Sequence, residues 1–273
     1  MHTHQWIYLS KKGTDEYINR LARGAGVAPT PIEDWQYEDE PEKGLVLRGI
    51  MKHKIMKRCW EDGRPFRYMD TGYFGNRPGP LNPNGWKWYH RIVDNDLQHG
   101  DIVPQPADRW HSLGITIQPW RRDGRNIVIV MPDEKACQFY DTTPDAWLAS
   151  VMAQLAGRTD RPIMVRQRVA DPDVRTRDPA SSFDAVLRGD TFAIITFNSV
   201  AATEAVVAGI PAFVTAPCNA ARPVANTDLA RICDPWYPDP DMVHAWACHL
   251  AYGQFHISEL EDGSALHILD GMA

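Results

Sequence analysis

Thr196-Phe-Asn-Ser-Val-Ala-Ala-Thr-Glu-Ala-Val-Val-Ala-Gly-Ile-Pro211 decides the fold class. Ahead of its turn, Phe192-Ala-Ile-Ile-Thr-Phe197 is a short apolar run rich in β-branched and aromatic residues, the pattern of a strand buried on both faces of a parallel sheet. Asn198 or Ser199 is placed to cap the helix that follows, and Gly209 to stop it. Pro211-Ala-Phe-Val-Thr-Ala216 then supplies the next strand. Such a helix start presents unpaired backbone N–H groups and the positive end of the dipole, which together favour a phosphate. Glu204 stands among Ala201, Ala202, Ala205, Val206, Val207 and Ala208, so a buried carboxylate there needs a hydroxyl or a cation. The plainer alternative is an ordinary helix of a doubly wound sheet, with Glu204 reaching solvent.

Working outward, Asn126-Ile-Val-Ile-Val-Met131 repeats the buried-strand pattern, and residues 143–157 form a helix with a threonine cap, an early proline and a closing glycine. Pro162 to Arg168 reads as a strand that emerges into two cations, and Ser182 to Arg188 as a short helix. The alternation of strands and helices predicts a right-handed parallel sheet with ligands at the strand carboxyl ends. The first half is a looser α/β pattern: strands at 6–9, 44–50 and 66–70, helices at 14–23 and 51–60. Turn and charge signals at 104–106 and 120–125 place a boundary near residue 120, giving halves 1–120 and 121–273 with a ligand cleft between them.

The 273 residues carry a formal charge of −6, with 44% hydrophobic and 23% charged residues. No apolar run approaches the roughly 20 residues of a membrane span, and the opening Met1 to Leu9 lacks the pattern of a signal peptide. The five cysteines are scattered without C-x-x-C spacing, which argues against a disulfide framework or a zinc site and fits a reducing cytoplasm. G-x-S-x-G, P-loop and G-x-G-x-x-G motifs are absent, so hydrolase, kinase and dinucleotide-oxidoreductase readings lose ground. Three Asp-x-Asp pairs (94–96, 171–173, 239–241) specify little, and no metal is expected.

The 196–211 stretch resembles the donor-sugar-binding segment of GT-B glycosyltransferases, especially those of the capsule-polysaccharide type, which show a similar Asn-Ser, Glu-Ala and Gly-x-Pro pattern. The resemblance implies two Rossmann-like halves facing a central cleft, with donor-binding roles for Asn198, Ser199, Thr203 and Glu204. Ser199 would meet a diphosphate and Glu204 the ribose or sugar hydroxyls. A second resemblance lies in the tail, where Tyr252-Gly-Gln-Phe255 and Glu259-Leu-Glu-Asp-Gly-Ser-Ala265 look like the end of phage and bacterial surface-polysaccharide glycosyltransferase-like proteins. There a C-terminal helix is expected to return to the first half, and Asp228 to cap a helix near the donor or hold its sugar.

Arg166 and Arg168 alternate at one strand end and so share a face, suited to clamping a diphosphate bidentately. The plainer alternative for both is a surface pair meeting Asp171 and Asp173. In similar glycosyltransferases a basic residue there stabilises the departing nucleotide. The donor is thus expected to be a nucleoside-diphosphate sugar used as co-substrate, with no permanently bound cofactor. For a direct attack the acceptor hydroxyl needs a base, for which Asp70 is the first candidate and His90 the second; the structural alternatives are a turn cap and an aromatic-packed ring. Ten lysines and arginines against three acids between Arg48 and Arg91 are interleaved with aromatics, a mixture that tracks phosphates and stacks on bases. Tyr73, Phe74, Trp86, Lys87 and Arg91 are therefore the expected acceptor residues. The favoured acceptor is a 5-hydroxymethylpyrimidine in phage DNA; a capsule or lipopolysaccharide saccharide is the alternative, and a non-catalytic nucleotide-sugar or nucleic-acid binding module a third.

Overall fold

Continuous apolar runs become the central strands of two separate sheets. The computed structural model describes residues 5–77, 82, 84–167 and 183–272. In chain order the elements are β1 (Trp6–Ser10), α1 (Glu16–Gly24), β2 (Thr30–Pro31), β3 (Gly44–Arg48), α2 (His53–Asp62), β4 (Phe66–Thr71), β5 (Tyr89–Asp94) and α3 (Asp108–Ser112). There follow β6 (Asn126–Val130), α4 (Glu134–Phe139), α5 (Pro144–Leu155), β7 (Ile163–Arg166), α6 (Phe183–Arg188), β8 (Thr191–Thr196), α7 (Ala201–Val207) and β9 (Ala212–Val214). The last are α8 (Pro240–Tyr252), β10 (Gln254–His256), α9 (Ile257–Asp262) and α10 (Ser264–Met272). The chain divides into two compact units: Met1–His99, Gln105–Gly114 and Cys248–Ala273 in the first, Gly100–Pro104 and Ile115–Ala247 in the second.

In the first unit the strand order is β10-β5-β4-β3-β1-β2. β2, β1, β3 and β4 are parallel, whereas β5 and β10 run antiparallel to their neighbours. The carboxylate of Asp15 starts α1 by accepting the N–H groups of Tyr17 (3.2 Å) and Ile18 (3.3 Å). Ile18, Leu21 and Ala22, spaced three and four apart, then bury one helix face with Tyr8, Val46, Leu260 and Leu269. Gly263, at the corner between α9 and α10, has a φ of +85°, and a Cβ there would lie 2.8 Å from the Gly24 carbonyl oxygen. Only glycine combines that backbone with that approach.

In the second unit the order is β7-β6-β8-β9, all parallel. Every residue of β8 is buried, as its unbroken apolar run predicts. The one hydroxyl at its end is satisfied, since Thr196 Oγ1 donates to the Val130 carbonyl at 3.3 Å. Thr143 caps α5 by accepting from Ala146 N–H, Pro144 takes the first turn, and Trp147, Val151 and Leu155 turn one face into the core. Gly209 has a φ of +72°, and its missing side chain would occupy the space of the Pro119 carbonyl. That position fixes where α7 ends.

Both sheets share one construction. Their first strand lies beside the second on one side and the third on the other, with the fourth beyond: β2-β1-β3-β4 and β7-β6-β8-β9. This is the Rossmann-like doubly wound order, and its crevice opens at the carboxyl ends of the first and third strands.

Candidate active site

The 196–211 stretch enters the second unit where that rule places a ligand, at the carboxyl ends of β6 and β8. The helix begins later than the sequence suggests: Val200, not Asn198 or Ser199, occupies the cap position, and α7 has only seven residues. Ser199 instead folds the turn, its Oγ accepting the Ala201 N–H at 3.2 Å. Asn198, Ser199 and Glu204 are half-buried, with surface left for a ligand. Thr203 is different. It is fully buried, and its hydroxyl donates to the Val200 carbonyl at 2.6 Å, so its role is to close the first turn of α7.

Arg166 ends β7 opposite Val130, which itself pairs with Thr196, so the arginine and the β8 turn sit at one level of the sheet. Two strand spacings separate them by about 10 Å. The Arg166 guanidinium carbon lies 5.5 Å from the Phe183 ring centroid. Arg168 falls outside the described residues, as do Asp171 and Asp173. Asp228 is exposed and accepts the Ala230 N–H at 2.8 Å, capping a single 3-10 turn at Leu229–Arg231. Sequence reasoning overlooked Asn219, which is fully buried: its amide donates to the Phe197 carbonyl (3.2 Å) while its oxygen accepts the Ala221 N–H (2.8 Å). Asn219 thereby ties the strand end that carries Asn198 and Ser199 to the following loop.

In the first unit, Asp70 lies at the end of β4 and pairs with Arg91, while Thr71 pairs with His90. Successive strand residues face opposite sides, so Asp70 and His90 do not share a face. Asp70 Oδ2 accepts from the Tyr68 hydroxyl (2.6 Å) and lies 3.4 Å from Arg91 Nη2, while Oδ1 accepts the Thr71 N–H (2.7 Å). Burial pushes its carboxyl up, but Arg91, the Tyr68 hydroxyl and the Thr71 N–H outweigh that, and it sits below the usual aspartate value. The result is an ionised carboxylate with 32% of its side chain exposed, weakened as a base by its own partners. His90 is fully buried, and burial, then the Arg48 charge, lower its pKa to about 4. Asp70 and the Lys87 backbone pull it slightly upward, yet neither ring nitrogen has a partner in hydrogen-bond geometry.

The expected acceptor residues divide by burial. Trp86 (58% exposed) and Lys87 reach solvent, whereas Tyr73, Phe74 and Arg91 are core residues. The Tyr73 hydroxyl accepts the His99 backbone N–H and shares a hydrogen bond with His99 Nδ1, both at 3.0 Å. Arg91 donates to the carbonyls of Leu97 (3.2 Å) and Thr71 (2.5 Å). Arg64 and Arg67 are equally internal, the first on four backbone carbonyl contacts, the second between Asp94 and Asp270. Much of the basic charge between Arg48 and Arg91 thus serves the fold.

The tail residues also act on the first unit. Gln254 is buried; its Oε1 accepts the Phe74 N–H (2.9 Å) and its Nε2 donates to the Phe74 carbonyl (3.3 Å). Glu259 accepts both guanidinium ends of Arg109 (2.5 and 2.9 Å) and the His256 N–H (2.7 Å). Arg109 further donates to the Ala251 and Gln254 carbonyls. The Asp94 and Asp239 carboxylates are likewise engaged, with Arg67 and with the Asp241 N–H. Among the described residues no group of three or more His, Cys, Asp or Glu side chains could hold a metal ion, and no helix is long and apolar enough to cross a membrane.

No family model matches the chain, and no curated protein matches it by sequence. Among solved structures it is similar to Thermosulfurimonas dismutans KpsC, beta Kdo 2,7 transferase, at 13% identity and a TM-score of 0.51. That likeness covers 97% of this chain and 99% of the other. Thermosulfurimonas dismutans KpsC, beta Kdo 2,4 transferase, aligns over 92% and 99% of the two chains at 14% identity with a TM-score of 0.43. The fold is therefore glycosyltransferase-like, an α/β architecture with Rossmann-like parallel sheets.

Proposed function

We propose that this protein is a glycosyltransferase that moves a sugar from a nucleotide-sugar to a hydroxyl of a surface-polysaccharide saccharide, with its two units in the GT-B layout. The observation that carries this reading is the whole-length fold likeness to a protein named as a Kdo transferase. The small polar turn of Asn198 and Ser199 at the second sheet's switch point supports it, because the donor needs backbone and hydroxyl donors there. Asn198, Ser199, Glu204 and Arg166 hold the donor in this reading. Asp70 orients the acceptor hydroxyl and takes its proton as the bond forms; its depressed pKa keeps it ionised at neutral pH while limiting its strength as a base.

A saccharide acceptor is favoured over DNA by the fate of the basic, aromatic segment. Phe66, Tyr68, Tyr73 and Phe74 fill the core, and Arg64, Arg67 and Arg91 are committed to internal partners. A stacking platform needs such side chains on the surface. No observation supports a phage-specific or DNA-modifying role.

The test is nucleotide release from a panel of nucleoside monophosphate- and diphosphate-linked sugars, Kdo included, with saccharide acceptors in one arm and hydroxymethylated DNA in another. Release that rises with a saccharide and falls at least about 100-fold in Glu204→Ala, with the unfolding midpoint unchanged, is the expected result. No release from any donor would leave a non-catalytic binding module as the better reading, and mass gain on DNA would reverse the acceptor assignment.

A further inference from the structure

The first sheet has a switch point of its own, at the carboxyl ends of β1 and β3, where Ser10 and Arg48 stand. The turn out of β1 is built around Asp15. Ser10 Oγ accepts the Asp15 N–H at 3.0 Å, one carboxylate oxygen caps α1, and the other meets Arg48 Nη1 at 3.2 Å. Arg48 keeps a quarter of its side chain in solvent, yet its Nε–H is buried without a partner. The half-buried ring of Tyr17 touches two groups at once: the Arg48 guanidinium carbon lies 4.3 Å from its centroid and the His90 ring 4.0 Å.

His90 is the anomaly of this corner. It is fully buried, and neither ring nitrogen has a partner in hydrogen-bond geometry, the Lys87 backbone being the polar group nearest to providing one. Three polar valences therefore lie around one aromatic ring: an Arg48 N–H, a His90 N–H and a His90 lone pair. An orphaned buried polar atom costs about 1–3 kcal/mol, so three in one place are not explained by packing. Two of the three are donors. They sit next to a cation whose ion pair with Asp15, at 3.2 Å, is long for a charge-assisted bond.

We propose that this corner is an oxyanion-binding site, in which Arg48 and His90 receive a carboxylate or phosphate group of a ligand at the switch point of the first unit. One anionic oxygen accepts the Arg48 Nε–H and the His90 N–H, and the Tyr17 ring, which now lies against both, turns aside to admit it. The buried neutral state of His90 suits this role, because a neutral ring offers one donor and one acceptor without requiring a counter-ion. The site lies within the first unit and does not rest on the donor reading of the second.

Isothermal titration of the full chain with methyl glucuronide, glucose 6-phosphate and neutral methyl glucoside tests it. At least one anionic probe is expected to bind, and the neutral sugar at least about tenfold more weakly. The two anionic arms separate carboxylate from phosphate. Arg48→Gln and His90→Phe should each raise the Kd of the preferred anion at least about tenfold. Arg48→Lys keeps the charge without the Nε–H, so it should fall between. Urea midpoints identify any variant that fails to fold, and Arg48→Lys carries the test if Arg48→Gln does. Equal affinity for the neutral sugar, an unchanged Kd in folded variants, or no binding of either anion at about 10 mM would overturn the proposal.

Discussion

Gln254 is a single side chain that holds a whole turn, and its removal should be felt as lost stability with a distinctive local signature. Its amide spans both polar groups of Phe74, which is itself only 5% exposed. Gln254→Leu keeps most of the volume but strands the Phe74 N–H and carbonyl in the interior. One buried N–H without a partner costs about 1–3 kcal/mol, and the weaker bond to the carbonyl adds about 0.5–1 kcal/mol, so a loss of about 3 kcal/mol is expected. Gln254→Ala should lose about 1 kcal/mol more through the cavity it leaves. Urea unfolding would show a lower midpoint with an unchanged slope, and amide exchange at Phe74 should rise ahead of the surrounding strands. Gln254→Glu adds a pH arm. Its carboxylate can accept the Phe74 N–H, but the second oxygen must face the Phe74 carbonyl, and only the protonated acid can donate there. The folded pKa is thus raised, so the stabilisation is fully present below the unfolded value of about 4.3 and is lost as pH rises through the folded value. A Gln254→Leu protein within about 0.5 kcal/mol of the parent, with Phe74 exchange unchanged, would refute the reasoning.

The other predictions concern charge, ion pairing and backbone. His90, lowered by burial and by Arg48 from an ordinary 6.5 to about 4, binds its proton in the unfolded chain first. Stability should therefore fall by about 3 kcal/mol as pH drops from about 6.5 to about 4, a slope partly removed in His90→Phe. Asp70 and the Lys87 side chain are the other charges His90 feels, and His99, lowered in the same sense by burial, His249 and Arg91, retains its own share. A slope identical in His90→Phe and the parent would count against this. Arg109→Met should destabilise by about 3 kcal/mol because it leaves the largely buried Glu259 without its cation, the His256 N–H alone remaining, and Arg109→Lys should recover less than half, measured by the same urea assay. Gly263→Ala should lose at least about 1–2 kcal/mol to left-handed strain, with more from the nearby Gly24 carbonyl; an unchanged midpoint would show that the corner relaxes.

Long apolar runs made most of the fold legible. Ile127 to Val130 and Phe192 to Ile195 can only be buried strands, and Thr143 with Pro144 announces α5 within one residue of its start. β5 and β10 were hidden for a physical reason. Tyr89-His-Arg91 carries polar side chains into the sheet, where Arg91 meets Asp70 and His90 packs against Tyr17, and β10 has three residues, too few for a period. The β8 turn was legible as a small polar strand-to-helix junction, but its cap was not, since Ser199 spends its hydroxyl one residue before the cap position at Val200. The Asp15, Arg48 and His90 corner was invisible in sequence because its members come from three segments joined only by sheet order.

The tail illustrates how a motif can be informative about the wrong property. Tyr252-Gly-Gln-Phe255 and the Glu259 to Ala265 stretch suggest shared chemistry when read as sequence, yet each named position has a structural task. Tyr252 donates to Asp108, Gln254 clamps Phe74, Glu259 receives Arg109 and caps α9, and Gly263 admits Gly24. Residues fixed by packing and backbone geometry persist wherever the fold persists, whatever the substrate. The tail resemblance therefore bears on architecture, in keeping with a whole-length fold likeness at 13% identity. The chemistry must then be sought outside the tail. Each unit offers a candidate among the described residues: the half-buried Asn198, Ser199 and Glu204 beside β8, and Arg48 with the buried His90 beside β3.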